Sequence, residues 1–451
     1  MFFSPLNGTR LFISIILVAL EMVYPIQLQA QESLRSSYPL SLNEAISMAK
    51  SKNKWVRIAE TQAKATEADL KDTYSAALPT ASASTSYQHY SDLTLYTDGL
   101  NHSTTRPRAA TPNAASLGLD ATFNLYAGGR QKAYEEEQAS KKAMADMNTN
   151  EQSGNYAMQT ASQYLNLVQL AELKRFILDQ LKRAETRLKT INSLYKNQKV
   201  TRSDVLRADV MLSNVQLSLQ QVDNDIQIAN RRLTVLLTLP ESTQVIPTDS
   251  AGMAKPALAG LAVLTGQAQT SSFSILKAKQ NINTQEARLK GVKSANMPTL
   301  SFYTAYGLNY PNNLFYPPVD QAFSIGFVGL KAQYNISSLY HNKHKVEAGR
   351  LRIAEAQLQN EAIIDNVDQE VKSLLIKYGE ALKRITVKEK NIEQSRVNYR
   401  IVSTKYFNQL ALLTDLLDAD NLLTASRFDL ITAQTNALTI YYRLLYATGK
   451  L

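Results

Sequence analysis

A fifteen-residue stretch occurs twice in this chain, and its spacing constrains everything around it. Residues 195–209 and 406–420 align without a gap, and seven of fifteen positions are identical: Tyr195/Tyr406, Asn197/Asn408, Gln198/Gln409, Asp204/Asp415, Leu206/Leu417, Ala208/Ala419 and Asp209/Asp420. An offset of 211 in a chain of 451 residues means two copies of one plan. Helical patterns flank each copy. Thr201-x-x-Asp204 and Thr414-Asp415 supply the short polar side chains of helix starts. Each stretch is therefore predicted to be the tip of a helical hairpin.

The hairpins are long. No proline occurs between Tyr126 and Pro240, and a single helix over 131–194 would span about 95 Å at 1.5 Å per residue. Leu181, Ala184, Leu188, Ile191 and Tyr195 repeat at 3,4 spacing, and Leu212, Val215, Leu219, Val222, Ile226, Ala229, Leu233 and Leu236 continue it past the tip. Such a stripe needs neighbouring helices along its length. After a Pro-rich linker at 241–260, the plan returns over 261–451, as it first ran over 31–240. Helices are expected over Leu42–Leu78 and Leu261–Asn296, each stopped by the proline of Leu78-Pro79-Thr80 or Met297-Pro298-Thr299. From Tyr340 a second long helical pattern runs to the second tip and back to the C-terminus.

Between these helices the period changes from 3.6 to 2. Leu117, Leu119, Ala121, Phe123 and Leu125 alternate with Gly118, Asp120, Thr122 and Asn124, predicting a strand with one apolar and one polar face. Strands are expected near 80–90, 116–126, 299–310 and 322–335, with 91–114 as a loop. In the last strand the apolar phase slips at Phe327-Val328, which suggests a bulge. Lengths of about 9–12 residues suit strands that span a membrane. Four strands cannot close a barrel, and an open edge cannot sit in lipid, so several chains must share one.

Composition narrows the function. With no cysteine, thiol catalysis, disulfides and zinc–thiolate sites are excluded. The net charge of +10 is spread along helical faces among acidic residues, a pattern of solvated surface and not of nucleic-acid binding. His341-x-x-His344 lacks further ligands nearby, and Gly128-Gly129-Arg130 lacks the spacing of a phosphate-binding loop, so no metal, cofactor or nucleotide is expected and the chain is not read as an enzyme. Arg10, the apolar run Leu11–Leu20 and a polar stretch ending Leu28-Gln29-Ala30 read as a secretory signal peptide over 1–30.

The duplicated Tyr-x8-Asp-(Val/Leu)-Leu-x-Ala tip, the paired Leu-Pro-Thr and Met-Pro-Thr strand starts and the Tyr126-x-Gly-Gly-Arg130 strand exit together resemble the TolC family of outer-membrane efflux and secretion channels, over residues 41–449. The resemblance implies a mostly α fold with membrane β structure. In it, a homotrimer forms a twelve-strand β-barrel, four strands per chain, that continues into a long α-helical coiled-coil barrel. It implies an exit duct in the outer membrane of a Gram-negative bacterium, reaching into the periplasm. Its expected partners are outer-membrane lipid, a periplasmic adaptor protein and an inner-membrane transporter. Family correspondence places Asp415, Asp418, Asp204 and Tyr406 at the periplasmic aperture. It places Tyr195, Lys199, Val200, Thr201, Leu206, Ala208, Leu412, Leu413, Leu417 and Ala419 on the adaptor-contact tips. Three positions depart from the family pattern. Gln198 and Gln409 stand where a tip glycine is usual, and Ala411 stands where a basic residue is frequent. A soluble periplasmic coiled-coil scaffold is the alternative reading, and the alternating strands discriminate against it.

Overall fold

The computed structural model describes residues 37–91, 93–96, 99–100, 104–106, 111–249, 256–312, 314 and 319–451. The expected signal peptide and residues 250–255 of the linker lie outside these. Two helices dominate the chain: α3 (Arg130–Lys196) and α8 (Lys343–Phe407), of 67 and 65 residues. Neither contains proline, and each is about 100 Å long at 1.5 Å per residue. Each folds back through a tip into a shorter helix, α4 (Arg202–Leu237) and α9 (Leu413–Ala447).

The region before each long helix corrects one expectation. Leu42–Leu78 is not one helix but two, α1 (Leu42–Lys52) and α2 (Lys54–Ser75), broken at Asn53. Asn53 takes extended dihedrals, its side chain accepts the Trp55 N–H, and its amide donates to the Leu236 carbonyl. A buried amide bonded to two parts of the chain outweighs continuation of the helix. Likewise α5 (Leu261–Ser271) and α6 (Phe273–Ser294) part at Ser272, also extended. The second long helix begins later than the pattern suggests. A four-residue turn α7 (Ser338–His341) precedes it, and Asn342 at the break donates to Val292 O and Asn296 Oδ1.

Helices α2, α3, α6 and α8 pack side by side near the strands, and α4, α3, α9 and α8 toward the tips. At mid-height a parallel pair, β1 (Ser37–Leu40) with β6 (Gln244–Pro247), belts the bundle. Tyr164 sits fully buried there, donating its hydroxyl to Leu40 O and Asp249 Oδ2, while Asp249 accepts the Leu42 N–H at the start of α1. Burial pushes the Tyr164 phenol far above its ordinary range, with the Asp249 bond adding to it, so it stays a donor at any working pH.

Strands β2 (Thr80–His89), β5 (Asn113–Tyr126), β7 (Thr299–Tyr310) and β8 (Phe323–Gln333) form one antiparallel sheet in that order. Two short strands, β3 (Leu93–Leu95) and β4 (Thr104–Arg106), pair within the stretch expected to be loop. No helix among the described residues lies across the four-stranded sheet.

Candidate functional site

Pleating divides the sheet into two unlike faces. On one lie Ala81, Ala83, Leu117, Leu119, Phe123, Phe302, Tyr306, Leu308, Val328 and Leu330, which the register brings side by side. On the other lie Ser82, Ser84, Ser86, Asp120, Thr122, Asn124 and Ser301. Their side chains bond across strands: Ser82 to Asp120 at 2.7 Å, Ser86 to Ser116 at 2.8 Å and Ser301 to Asn124 at 2.8 Å. The apolar face is uncovered: Leu119 is 62 % and Val328 71 % exposed. Water penalises such a surface, at about 25 cal/mol per Å². The outer edges of β2 and β8 are unpaired among the described residues. A face that favours hydrocarbon, beside two edges that hydrocarbon cannot tolerate, calls for further strands.

Strand β8 corrects a second expectation. Its register with β7 runs unbroken from Thr299↔Gln333 to Asn309↔Phe323, so Phe327-Val328 is not a bulge. The phase slip has another cause. Gly326 and Gly329 carry no side chain because the rings of Tyr306 and Tyr303 lie over them, with an added Cβ reaching 2.8 and 2.7 Å from those rings. Apolar side chains therefore occur on both faces of β8. Phe327 packs edge-on against Tyr303 on the otherwise polar one. The bulge lies instead in β5, between Asn124 and Tyr126, where the strand bends toward the helices. There Gly128 and Gly129 take positive φ. Gly128 is pressed against the second half of the chain, an added Cβ falling 2.6 Å from Met297 Cβ. The Gly128-Gly129-Arg130 motif is thus a strand-to-helix corner.

At the opposite end the two hairpin tips share a small core. Ile191 and Ala208 of the first hairpin pack with Tyr406, Leu413 and Leu416 of the second. Each tip closes on a left-handed glutamine, Gln198 at φ 57° and Gln409 at φ 62°. The N–H groups of Gln198 and Lys199 bond back to Tyr195 and Leu194, and those of Gln409 and Leu410 to Tyr406 and Lys405. This six-to-one pattern is the helix end that glycine usually occupies. The backbone geometry is kept although the glycine is not, at a cost of about 1–2 kcal/mol per tip.

The acidic residues expected at the aperture take different positions. Asp204 closes a capping box, accepting the Thr201 N–H at 3.0 Å and hydroxyl at 2.8 Å. Asp415 accepts the Leu412 N–H at 3.0 Å, but Leu412 has no hydroxyl to reciprocate. Asp418, one turn further on, is exposed. Tyr406 is buried, its hydroxyl without a hydrogen-bond partner. Burial raises its pKa, the Asp204 charge raises it further, and Arg187 opposes them. Among the ten tip residues, Ala208, Leu413 and Ala419 are buried inside the packed hairpins. Tyr195, Lys199, Thr201, Leu206 and Leu412 are exposed, and Val200 and Leu417 half-buried.

Sequence reasoning missed one site. Asp420, fully buried on α9, holds two arginines of α3. Arg183 Nε lies 2.9 Å from its Oδ1, and an Arg187 terminal nitrogen 2.6 Å from its Oδ2. Beside them Arg427 stacks over Phe176 and Arg183 over Tyr399. Asp420 is one of the seven identities of the repeated stretch, but its partners lie more than 230 residues away. Only the pairing of α3 with α9 discloses them.

Among the described residues no three His, Asp or Glu side chains gather as metal ligands, and His344 instead faces Glu347. The helix break at Asn342 also separates His341 from His344, so they do not share one helical face. No helix among the described residues is long and apolar enough to cross a membrane.

This architecture occurs in solved structures. The outer membrane protein VceC of Vibrio cholerae matches 90 % of this chain and 96 % of its own, with TM-score 0.73 at 16 % identity. CusC, whose structures concern transmembrane channel formation, matches 90 % of this chain and 92 % of its own, with TM-score 0.73 at 17 % identity. The open-state MtrE outer membrane channel of Neisseria gonorrhoeae matches 90 % and 88 %, with TM-score 0.71 at 17 % identity. The sequence matches no protein-family model and no curated protein. The chain is TolC-like: it has the fold of the outer-membrane channels, nearly end to end.

Proposed function

We propose that this chain is the outer-membrane channel of a tripartite efflux pump or a type I secretion system. It conducts substrates passively across the periplasm and the outer membrane, as a homotrimer. The observation that carries this reading is the four-stranded sheet, whose apolar face is uncovered and whose two edges are unpaired among the described residues, set on two helical hairpins about 100 Å long. Three such sheets make a barrel of twelve strands, which leaves no edge in lipid. The soluble scaffold reading gives that apolar face no solvent.

In the trimer the polar face of Ser82, Asp120 and Asn124 lines the lumen, and the exposed strip of each tip meets a periplasmic adaptor. An inner-membrane transporter supplies the energy. Asp415 and Asp418 recur three times around the axis at the periplasmic end and make a negative constriction, with Asp204 and Tyr406 beside it. The test is mass by light scattering in detergent, then current in a planar bilayer. A mass of three chains and a cation-selective current support the reading, and Asp415→Ala with Asp418→Ala then weakens selectivity or raises conductance. A monomer soluble without detergent overturns it. Unchanged selectivity and conductance remove the two carboxylates from the aperture.

A further inference from the structure

One carboxylate, Asp420, serves two arginines. Arg183 takes one of its oxygens and Arg187 the other. The Arg187 side chain is only 5 % exposed, yet among the described residues it makes no other hydrogen bond. Its Nε and its second terminal nitrogen keep N–H groups to donate. The charge count agrees. Lys182, Arg183, Arg187 and Arg427 stand against two carboxylates, Asp179 and Asp420, an excess of two. Burial, and after it the charge of Arg183, lowers the Arg427 pKa. Such a cluster of cations attracts an anion.

The cations line a place where an anion fits. Lys182, Arg183 and Arg187 form one wall of a groove of about 450 Å³, within the range of small-molecule sites. Tyr399, Ser403 and Phe407 of α8 form the other wall, with Leu416 of α9 between. Among the described lining residues Asp179 alone is acidic, and it lies 3.8 Å from Arg427. Arg183 lies 5.9 Å from the centre of the Tyr399 ring, and Phe407 is 56 % exposed. Cations thus face ring surfaces across the groove. Bare phosphate would satisfy the cations and leave the rings in water. A neutral ring would cover Phe407 and leave the Arg187 donors unused. A flat ring that carries a carboxylate or sulfonate answers both walls. The groove runs over α9, third in the row α4, α3, α9 and α8, so one chain builds it. It stands clear of the outer sides of α4 and α8, where a neighbouring copy would pack. Arg187 lies nine residues before Lys196, which puts the site about 14 Å from the end of α3.

We propose that this groove binds small aromatic anions, carboxylates or sulfonates. The charged group sits on Arg187 and Lys182, and the ring lies between Tyr399 and Phe407. Arg183 holds Asp420 and fixes the wall. The site goes beyond the channel reading and does not depend on it.

Equilibrium dialysis of the full chain in detergent against radiolabelled benzoate, with empty micelles as the blank, tests the site. Saturable binding of one benzoate per chain is expected, with radiolabelled benzyl alcohol retained no better than by empty micelles. Lys182 is exposed and outside the Asp420 pair, and Lys182→Glu should weaken binding by about tenfold. Ser403→Trp puts an indole into the groove and should abolish binding. Arg187→Gln with Asp420→Asn exchanges an ion pair for an amide pair and should abolish it as well. Circular dichroism checks that each variant keeps its helices. No saturable benzoate binding, or binding that all three variants retain, overturns the proposal. Benzyl alcohol bound as tightly as benzoate overturns the role of charge. Inorganic phosphate that displaces benzoate at equal concentration overturns the role of the rings. The mass of the wild type by light scattering decides the channel reading separately.

Discussion

The sheet and the hairpin tips put their apolar residues to opposite uses. At the tips Ile191, Ala208, Tyr406, Leu413 and Leu416 are buried against one another, Asp204 and Asp415 cap helices, and Asp418 faces outward. In the sheet, Leu119, Leu308, Val328 and Leu330 face outward, and the serines and Asp120 bond to each other on the reverse face. One sequence thus prepares two surfaces for two solvents. The tips are inside-out relative to the sheet, and the 100 Å of helix between them keeps those solvents apart.

A charge on the apolar face should have the largest effect. Leu119→Arg is expected to cost about 2–4 kcal/mol at mid-membrane depth and to abolish insertion, whereas Ser84→Arg on the polar face should leave it intact. The yield of protease-resistant trimer in the outer-membrane fraction checks both. Equal yields would show that the two faces share one solvent. Next comes the buried charge near the tips. Asp420→Ala leaves two arginines without their counter-ion and should lower stability by about 3–5 kcal/mol, read as a fall in the helical melting temperature by circular dichroism.

A smaller effect of opposite sign is expected at the turns. Gln198→Gly and Gln409→Gly relieve left-handed strain and should each stabilise by about 1 kcal/mol, measured by chemical denaturation. The smallest concerns pH. Glu136 bonds Lys290 and Glu137 bonds Arg288, tying α3 to α6. The Lys290 bond holds Glu136 below its ordinary pKa; at Glu137 burial pushes upward, and the Lys141 and Arg288 bonds outweigh it. Carboxylates with lowered pKa contribute fully above about pH 4.5 and lose that contribution as pH falls through their folded values. Both pairs are partly exposed, so the effect is modest. Melting temperatures from pH 6 down to 3 should drop less for Glu136→Gln with Glu137→Gln than for the wild type.

The elements were legible where one periodicity ran uninterrupted. Leu181 to Tyr195 repeat at 3,4 spacing in α3, and Leu117 to Leu125 alternate through most of β5, so each pattern reads in one dimension. The breaks at Asn53 and Ser272 were not legible, because a polar residue is tolerated inside a helix unless tertiary partners such as Leu236 O draw it out. The evenness of β8 was hidden by Gly326 and Gly329, whose missing side chains leave room for tyrosine rings from the next strand. At the candidate site, the repeat marks Asp420 but says nothing of Arg183 and Arg187, since no local spacing joins residues that meet only when α3 and α9 pack. Burial of Ala208 and Leu413 likewise depends on how the two hairpins meet.

The uninterrupted length of α3 and α8 has a mechanical consequence. A rod of about 100 Å that tilts by about one degree at its strand end displaces its other end by roughly 2 Å. Rigid levers of this kind need no melting or hinge along their span to change the width of the far end. They also carry displacement both ways: whatever grips the tips acts with the same leverage on the corner where Gly128 is wedged against Met297.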